Sequence, residues 1–272
     1  ANGSVTIPAF SGALGAGAIQ DHYPFRDQTD VARNTNITVT FREPMLIESF
    51  IADYDDNGTP EDVSDDIPAT LIDASNVKIY ASADGEGQAL TNVDVYFTED
   101  LRTLVFNPID YLGSATENMS YTVFLENNIQ NSLGVDVFTG INSGGYEWSF
   151  ETGVNLDLDP PTITSVTPAV GGTFAKNIVV QVTFNEPMDP TSTSGTRLAD
   201  SGFSNLQVTG TTGVPTAGEY LLSNGYRTVT FTFAGRNSTV SPHETEPHST
   251  LPVTTSFCTS KTTKRNGKLS MR

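Results

Sequence analysis

The chain has 272 residues, a formal net charge of −18 from 14 basic and 32 acidic residues, and one cysteine, Cys258. Its length accommodates two domains of about 100–150 residues each. The charge argues against nucleic acid and against an anionic membrane as partners, because both require a basic surface. One cysteine excludes an internal disulfide, and no apolar run approaches the roughly 18–20 residues of a membrane span.

The first 17 residues form an N-terminal arm that has no counterpart later in the chain. The arm is either a flexible N-terminal segment or a strand that is offered to another subunit. The chain begins at Ala1 without Met, which is compatible with a mature terminus after export. The residues of the arm that alternate like a strand are Ser4, Val5, Thr6, Ile7, Pro8, Ala9 and Phe10.

One stretch of the sequence occurs twice. Residues 34–45 and 177–188 both end in Phe-x-Glu-Pro-Met, at one constant offset. Apolar residues alternate before that ending, which predicts a half-buried strand, and the proline ends the strand because it has no N–H to donate. Two copies of one β-unit predict two similar β-domains in tandem. The alternating residues are Ile37, Val39 and Phe41 in the first copy and Val180, Val182 and Phe184 in the second.

The first domain, residues 18–153, carries several short strand patterns separated by turn signals. Many short strands at regular spacing, with no long helical pattern, predict an all-β fold of two tandem Ig-like β-sandwich domains. Trp148 and Phe150 alternate with polar residues, which predicts that one face of the last strand lies in the core. The strand patterns fall at residues 37–41, 76–80, 93–97, 102–106, 120–125 and 146–150.

An acidic insertion, residues 47–66, contains the best candidate for a metal site. In Asp53-Tyr-Asp-Asp-Asn-Gly-Thr-Pro-Glu-Asp62 the acids and Asn fall at alternate positions before a Gly, as in a calcium loop. Ser64 stands where a helix–loop–helix hand has its last Glu, so the prediction is an isolated calcium loop. The alternative is a solvated acidic loop. The predicted ligands are Asp53, Asp55, Asn57, Thr59, Glu61 and Asp62, with Asp65 and Asp66 as weaker candidates.

Residues 154–161 form the linker, and two prolines at its end keep the backbone extended. Asp157 and Asp159 are weaker candidates for a second calcium between the domains, together with Glu43 or Glu186. The alternative is an ordinary polar linker.

The second domain, residues 162–234, repeats the opening strand, the duplicated stretch and the pattern of residues 102–106, which returns at 227–231. Its sequence is incomplete, because clear counterparts of residues 120–125 and 146–150 are absent and Thr255–Phe257 is a weak echo of Ser149–Phe150. Residues 235–272 hold six basic and two acidic residues, which sets this Ser/Thr-rich tail apart from the acidic remainder. The tail is either an unusual closing segment with a disordered end or the product of a misread coding frame.

Several signatures, in order, resemble one family. The run from Asp159 to Pro190 is similar to the opening of the bacterial Ig-like domain of S-layer proteins (the SbsA type), and residues 102–108, 120–123 and 148–153 resemble its later strands. The resemblance covers most of residues 18–234. It implies an Ig-like sandwich that serves as a structural module of surface layers, adhesins and large secreted proteins, without catalysis.

The sequence predicts that the chain is not an enzyme. His22, His243 and His248 lie in no metal or triad spacing, and Cys258 has no evident base. No glycine-rich phosphate loop follows a strand and opens a helix.

The preferred hypothesis is a secreted or cell-surface structural protein, stiffened by calcium, whose copies assemble into an extracellular filament or surface layer. Residues 4–10 of one copy complete the second domain of the next, and head-to-tail donation does not close on itself. The alternative is an accessory carbohydrate- or cell-binding module of a larger secreted enzyme or adhesin. Its candidate aromatic platform consists of Tyr54, Tyr111, Tyr146 and Tyr226.

Overall fold

A computed structural model of the chain describes residues 17–54, 70–169, 173–174, 178–191, 206–209, 218–233, 251–252 and 254–257. The predicted donor strand at residues 4–10, the acidic residues from Asp55 to Asp66 and most of the tail lie outside this part of the chain.

The predicted all-β fold is confirmed, since the described residues form strands and almost no helix. The strands of the first domain are β1 (Ile19–Tyr23), β2 (Gln28–Val31), β3 (Ile37–Phe41), β4 (Val77–Ala81), β5 (Val93–Phe97), β6 (Thr103–Pro108), β7 (Met119–Leu125) and β8 (Tyr146–Thr152). The strands that follow are β9 (Ile163–Thr167), β10 (Thr173–Phe174), β11 (Val179–Phe184), β12 (Leu206–Thr209), β13 (Gly218–Ser223), β14 (Thr228–Phe233), β15 (Leu251–Pro252) and β16 (Thr254–Phe257).

The first domain is a sandwich of two four-stranded sheets, ordered β1-β3-β6-β5 and β2-β8-β7-β4. All pairs within them are antiparallel except β2 with β8. Alternate residues of each strand point into one core, as the period of two requires. The largest side chains that are fully buried there are Trp148, Phe41, Phe50, Phe97, Phe106 and Phe150.

The second domain repeats the first sheet in the same register. Ile37 faces Phe106 across β3 and β6, and the repeat counterparts Val180 and Phe231 face each other across β11 and β14. The sheet order β13-β14-β11-β9 therefore matches β5-β6-β3-β1. The duplicated stretch marks a duplicated sheet, and the chain contains two tandem Ig-like domains.

The second layer of this domain is represented by strand pairs. β12 pairs with β16, and β10 pairs with β15. Val208 of β12 packs against Val180 and Phe231 of the repeated sheet, so β12 faces the core as β4 does in the first domain. In the first domain the strand that pairs with β4 is β7. Because β16 pairs with β12, its position corresponds to that of β7, whereas the sequence similarity of Thr255–Phe257 to Ser149–Phe150 had indicated β8.

The start of the predicted acidic insertion is part of the first core. Ile47, Phe50 and Ile51 are buried, because their apolar side chains follow the end of β3 directly into the sandwich. Ile51 forms a bridge with Ile72, which closes the base of the segment that lies between them.

Candidate functional site

The acidic loop has a fixed base. The Ala52 N–H donates to the Leu71 carbonyl at 2.9 Å, and the Asp73 N–H donates to the Phe50 carbonyl at 2.8 Å. Among the predicted calcium ligands of this loop, the structure describes Asp53, which is exposed and has a φ of 58°. The remaining ligands, from Asp55 to Asp66, lie outside the described residues, so the calcium loop stays a prediction.

The linker is bound to the first domain by backbone contacts. The Asn34 side-chain amide donates to the Asp157 carbonyl at 2.7 Å, and the Asp157 N–H donates to Asn34 Oδ1 at 2.9 Å. The Asp157 carboxylate accepts the Asp159 N–H at 3.1 Å. Among the described residues, no group of three His, Cys, Asp or Glu side chains is placed to hold a metal ion. A second calcium at Asp157 and Asp159 therefore also stays a prediction.

Glu43, which was named as a possible ligand of the second calcium, is hydrogen-bonded within the first domain. Its carboxylate accepts a hydrogen bond of 2.8 Å from the Asn131 side-chain amide. Glu186 lies close enough to Tyr23 that its charge, like that of Asp157, contributes to raising the pKa of that phenol, although burial is the main cause. The described structure thus brings Asp157 and Glu186 towards the same tyrosine at the domain boundary.

His22 is buried in the first sandwich, where it makes two hydrogen bonds. Its Nδ1 lies 2.8 Å from the Pro24 carbonyl, its Nε2 lies 3.1 Å from the Tyr146 hydroxyl, and its ring centroid is 4.4 Å from that of Trp148. Burial is the main reason that the pKa of His22 falls to about 4. The neutral ring therefore serves packing and hydrogen bonding within the core.

Two of the four tyrosines considered for an aromatic platform are in the interior. Tyr146 is 8% exposed and Tyr226 is 2% exposed, whereas Tyr111 is 43% exposed. The predicted platform of four exposed rings is therefore wrong. Tyr146 continues the alternation of Trp148 and Phe150, which indicates its burial, whereas Tyr226 follows a glycine at a turn, where side chains are usually exposed.

The repeated sheets differ at one edge. In the first domain, the outer edge of β5 is covered, because the Val95 N–H donates to the Thr70 carbonyl and the Ile72 N–H donates to the Val93 carbonyl. Its counterpart β13 has one hydrogen-bonded strand, β14, among the described residues, and Leu221 of β13 is 56% exposed.

Comparison with known protein families matches residues 16–152 and 157–258 to the family described as "Bacterial Ig-like domain". The chain belongs to the bacterial Ig-like domain family. The two matched segments agree with the tandem copies inferred from the sequence, and the second segment extends beyond residue 234 to include β15 and β16. The narrower SbsA type remains a resemblance.

Solved structures similar to the chain include the S-layer protein rSbsC(31–844), with 15% identity, a TM-score of 0.30, and coverage of 78% of this chain and 22% of that protein. They also include L,D-transpeptidase 3 from Mycobacterium tuberculosis, with 14% identity, a TM-score of 0.26, and coverage of 76% and 64% respectively. A chimeric titin Z1Z2 has 9% identity, a TM-score of 0.24, and coverage of 80% and 82%. The chain thus spans about a fifth of the S-layer protein. No curated protein matches it.

Membership of the bacterial Ig-like family supports a structural role at the cell surface or outside the cell. Within the part of the chain that the structure describes, no helix is both long enough and apolar enough to cross a membrane.

Proposed function

We propose that this chain is a structural protein of the cell surface or extracellular space, and that its copies assemble by donating a strand to one another. The tandem Ig-like sandwiches support the structural part of the proposal. The difference between the two domains in their second layer supports the assembly part.

The assembly proposal rests on the strand pairing of β16. Its counterpart β7 lies between β4 and β8, and β8 supplies Trp148 and Phe150 to the first core. Among the described residues of the second domain, β16 pairs with β12 alone. A strand edge with unpaired N–H and C=O groups is a template for a strand from elsewhere. A donated strand beside β16 takes the place that β8 has in the first domain.

The proposed donor is the segment from Ser4 to Phe10 of a second copy. Val5, Ile7 and Ala9 alternate with polar residues or proline, which suits a strand that buries one face. Donation from the start of one copy to the end of the next is a head-to-tail contact. Such contacts extend into a filament unless the rotation between copies closes a ring.

Deletion of residues 1–17 tests this assembly. We expect the full chain to sediment as a concentration-dependent series of oligomers and the truncated chain to sediment as a monomer. A synthetic peptide of residues 1–17 should bind the truncated chain, whereas a peptide with the same residues in scrambled order should not. Equal oligomer distributions for the full and truncated chains, or equal binding of both peptides, contradict strand donation.

Calcium is the second part of the proposal. The acidic loop leaves the first core at Ile51 and returns at Ile72, which are 2% and 3% exposed. A calcium ion bound between those points stabilises the folded domain because the unfolded chain lacks the arranged ligands. This arrangement supports the expectation that calcium stiffens the module.

A further inference from the structure

The turn between β13 and β14 inserts a tyrosine into the first domain. Tyr226 is 2% exposed although it lies at a hairpin turn. Its hydroxyl donates to the Asp21 carbonyl of β1 at 3.1 Å and lies 2.9 Å from Thr40 Oγ1 of β3. Since the tyrosine proton is used on Asp21, Thr40 donates to Tyr226. Thr40 Oγ1 also lies 3.0 Å from Thr103 Oγ1, so a chain of hydroxyls leads into the first sheet.

The neighbouring glycine makes a second contact with the first domain. The Gly225 N–H lies close enough to the Asp21 carboxylate to lower the pKa of that carboxyl, against the larger effect of burial, which raises it. A Cβ added at Gly225 would lie 2.3 Å from Cζ of Phe25, so the backbone packs directly on that ring. Gly225 also has a φ of 60°, which a side chain disfavours. The site therefore requires a glycine both for its conformation and for the approach of Phe25.

The turn is held rigidly on its own domain. Asn224 and Tyr226 have φ values of 55° and 63°, in the left-handed region that residues other than glycine rarely occupy. The Met188 N–H donates to the Tyr226 carbonyl at 2.8 Å, which helps to hold this conformation. Strained residues of this kind persist only where the surroundings determine them. Tyr226 is thus presented to the first domain from a fixed backbone.

The first domain contains the same turn with a different side chain. Leu101 has a φ of 57°, and its carbonyl accepts a hydrogen bond of 2.9 Å from the Met45 N–H, the counterpart of Met188. Leu101 packs against the core of its own domain. Both domains therefore share the backbone conformation of this turn. The tyrosine and its hydrogen-bond partners are specific to the contact between the domains.

Further contacts lie beside this one. The Asn36 side-chain amide donates to Asp189 Oδ2 at 3.3 Å, while Asp189 Oδ1 accepts from the Thr191 N–H at 2.8 Å. The linker is bound to Asn34 by the two hydrogen bonds described above. Attachments at the turn, at Asp189 and at the linker resist both rotation and separation of the domains.

We infer that Tyr226 locks the two domains in one fixed relative orientation, so that the tandem behaves as a single rigid body. Without the tyrosine, two sandwiches joined by a short linker are expected to move relative to each other. Burial keeps the hydroxyl protonated and raises the pKa of Tyr226 far above its ordinary value, so the lock holds across the physiological range. The inference is independent of whether copies of the chain assemble.

Distance measurement between two spin labels tests the lock. In a Cys258→Ser background, Ala83→Cys and Glu219→Cys place one label on an exposed residue of each domain. We expect a narrow distance distribution by pulsed electron resonance. The variant Tyr226→Leu has the side chain found in the first domain's turn. We expect its distance distribution to be at least twice as wide as that of the unchanged protein. The control Tyr80→Phe removes a tyrosine hydroxyl from β4 and should leave the width unchanged. An unchanged width in Tyr226→Leu overturns the inference.

Two more conservative variants keep the test valid if Tyr226→Leu does not fold. Tyr226→Phe keeps the ring, and Thr40→Val keeps a β-branched side chain in β3, so each removes one hydroxyl of the shared hydrogen bond. If the hydroxyls act together, the double variant broadens the distribution no more than the stronger single variant does. Additive broadening, or none in any of the three, contradicts the lock.

Discussion

His22 connects an individual residue to the acid stability of the first domain. Its two ring nitrogens are both hydrogen-bonded in the neutral state, Nδ1 to the Pro24 carbonyl and Nε2 to the Tyr146 hydroxyl. Trp148 Nε1 donates to the same Pro24 carbonyl at 3.1 Å. The arrangement leaves the imidazole buried and uncharged, and burial, with a smaller contribution from the charge of Arg26, lowers its pKa to about 4.

The sign of the pH effect follows from this lowered pKa. Between pH 6.5 and about 4, the unfolded chain binds a proton at His22 and the folded chain does not, so stability decreases as pH falls through that window. The full loss amounts to about 3 kcal/mol for this residue. Urea unfolding followed by Trp148 fluorescence from pH 7 to about pH 4 measures it, because Trp148 is the only tryptophan and is fully buried. We expect His22→Gln to flatten this pH dependence.

Asp21 also titrates with folding, so the effect of His22 has to be measured by comparison with a variant that lacks it. Burial raises the pKa of its carboxyl, so its contribution to stability has the opposite sign and decreases as pH rises. Both proteins contain Asp21 and the other carboxyls. Subtracting the pH dependence of the unfolding free energy of His22→Gln from that of the unchanged protein therefore cancels the contributions of those carboxyls. Identical slopes in the two proteins contradict the assignment to His22.

At the scale of elements, alternation of apolar residues was a sufficient guide to most strands. Ile37, Val39 and Phe41 predict β3, and the same pattern predicts β11, because one face of each strand enters a core. β2 was not predicted, since Gln28–Val31 contains one apolar residue and is held by parallel pairing with β8. β16 was predicted only as an echo of β8, because strand pairing depends on contacts that are distant in sequence.

The domain joint could not be predicted from the same patterns. Tyr226 has polar or glycine neighbours, which suggested an exposed ring, and its burial depends on Asp21 and Thr40 of the other domain. Its counterpart Leu101 offers one signal in retrospect, because the same turn position carries an apolar side chain in both copies.

The acidic loop is the element whose function is most directly testable. We expect calcium to raise the unfolding temperature of the first domain, since a ligand bound only by the folded state adds to its stability. Calorimetric titration should give binding heat for the unchanged protein and little for Asp53→Ala with Asp55→Ala. Asp84→Ala with Asp110→Ala, which removes two carboxylates outside the loop, is the matched control.

Replacement of residues 55–69 by a short Gly/Ser linker distinguishes loss of the site from loss of the fold. The base of the loop is closed by the bridge between Ile51 and Ile72, so the shortened domain should fold and keep the fluorescence of buried Trp148. It should no longer respond to calcium. A calcium response that survives in both the shortened and the doubly substituted protein contradicts the loop as the site.

At the scale of the whole molecule, the two domains have different roles in the proposed account. The first contains two four-stranded sheets around a core that includes Trp148, and the described part of the second contains one such sheet and two strand pairs. In this proposal, Tyr226 holds the two domains together, and the edge of β16 receives the N-terminal arm of the next copy. Rigid subunits joined by strand exchange transmit force through backbone hydrogen bonds along the assembly.

Electron microscopy of the purified full chain, with and without calcium, tests the central claim most directly. The account predicts filaments or sheets with a regular repeat, built from particles that each contain two sandwiches, and their loss when residues 1–17 are deleted. Single particles of uniform size for the full chain, at every protein and calcium concentration, would contradict it.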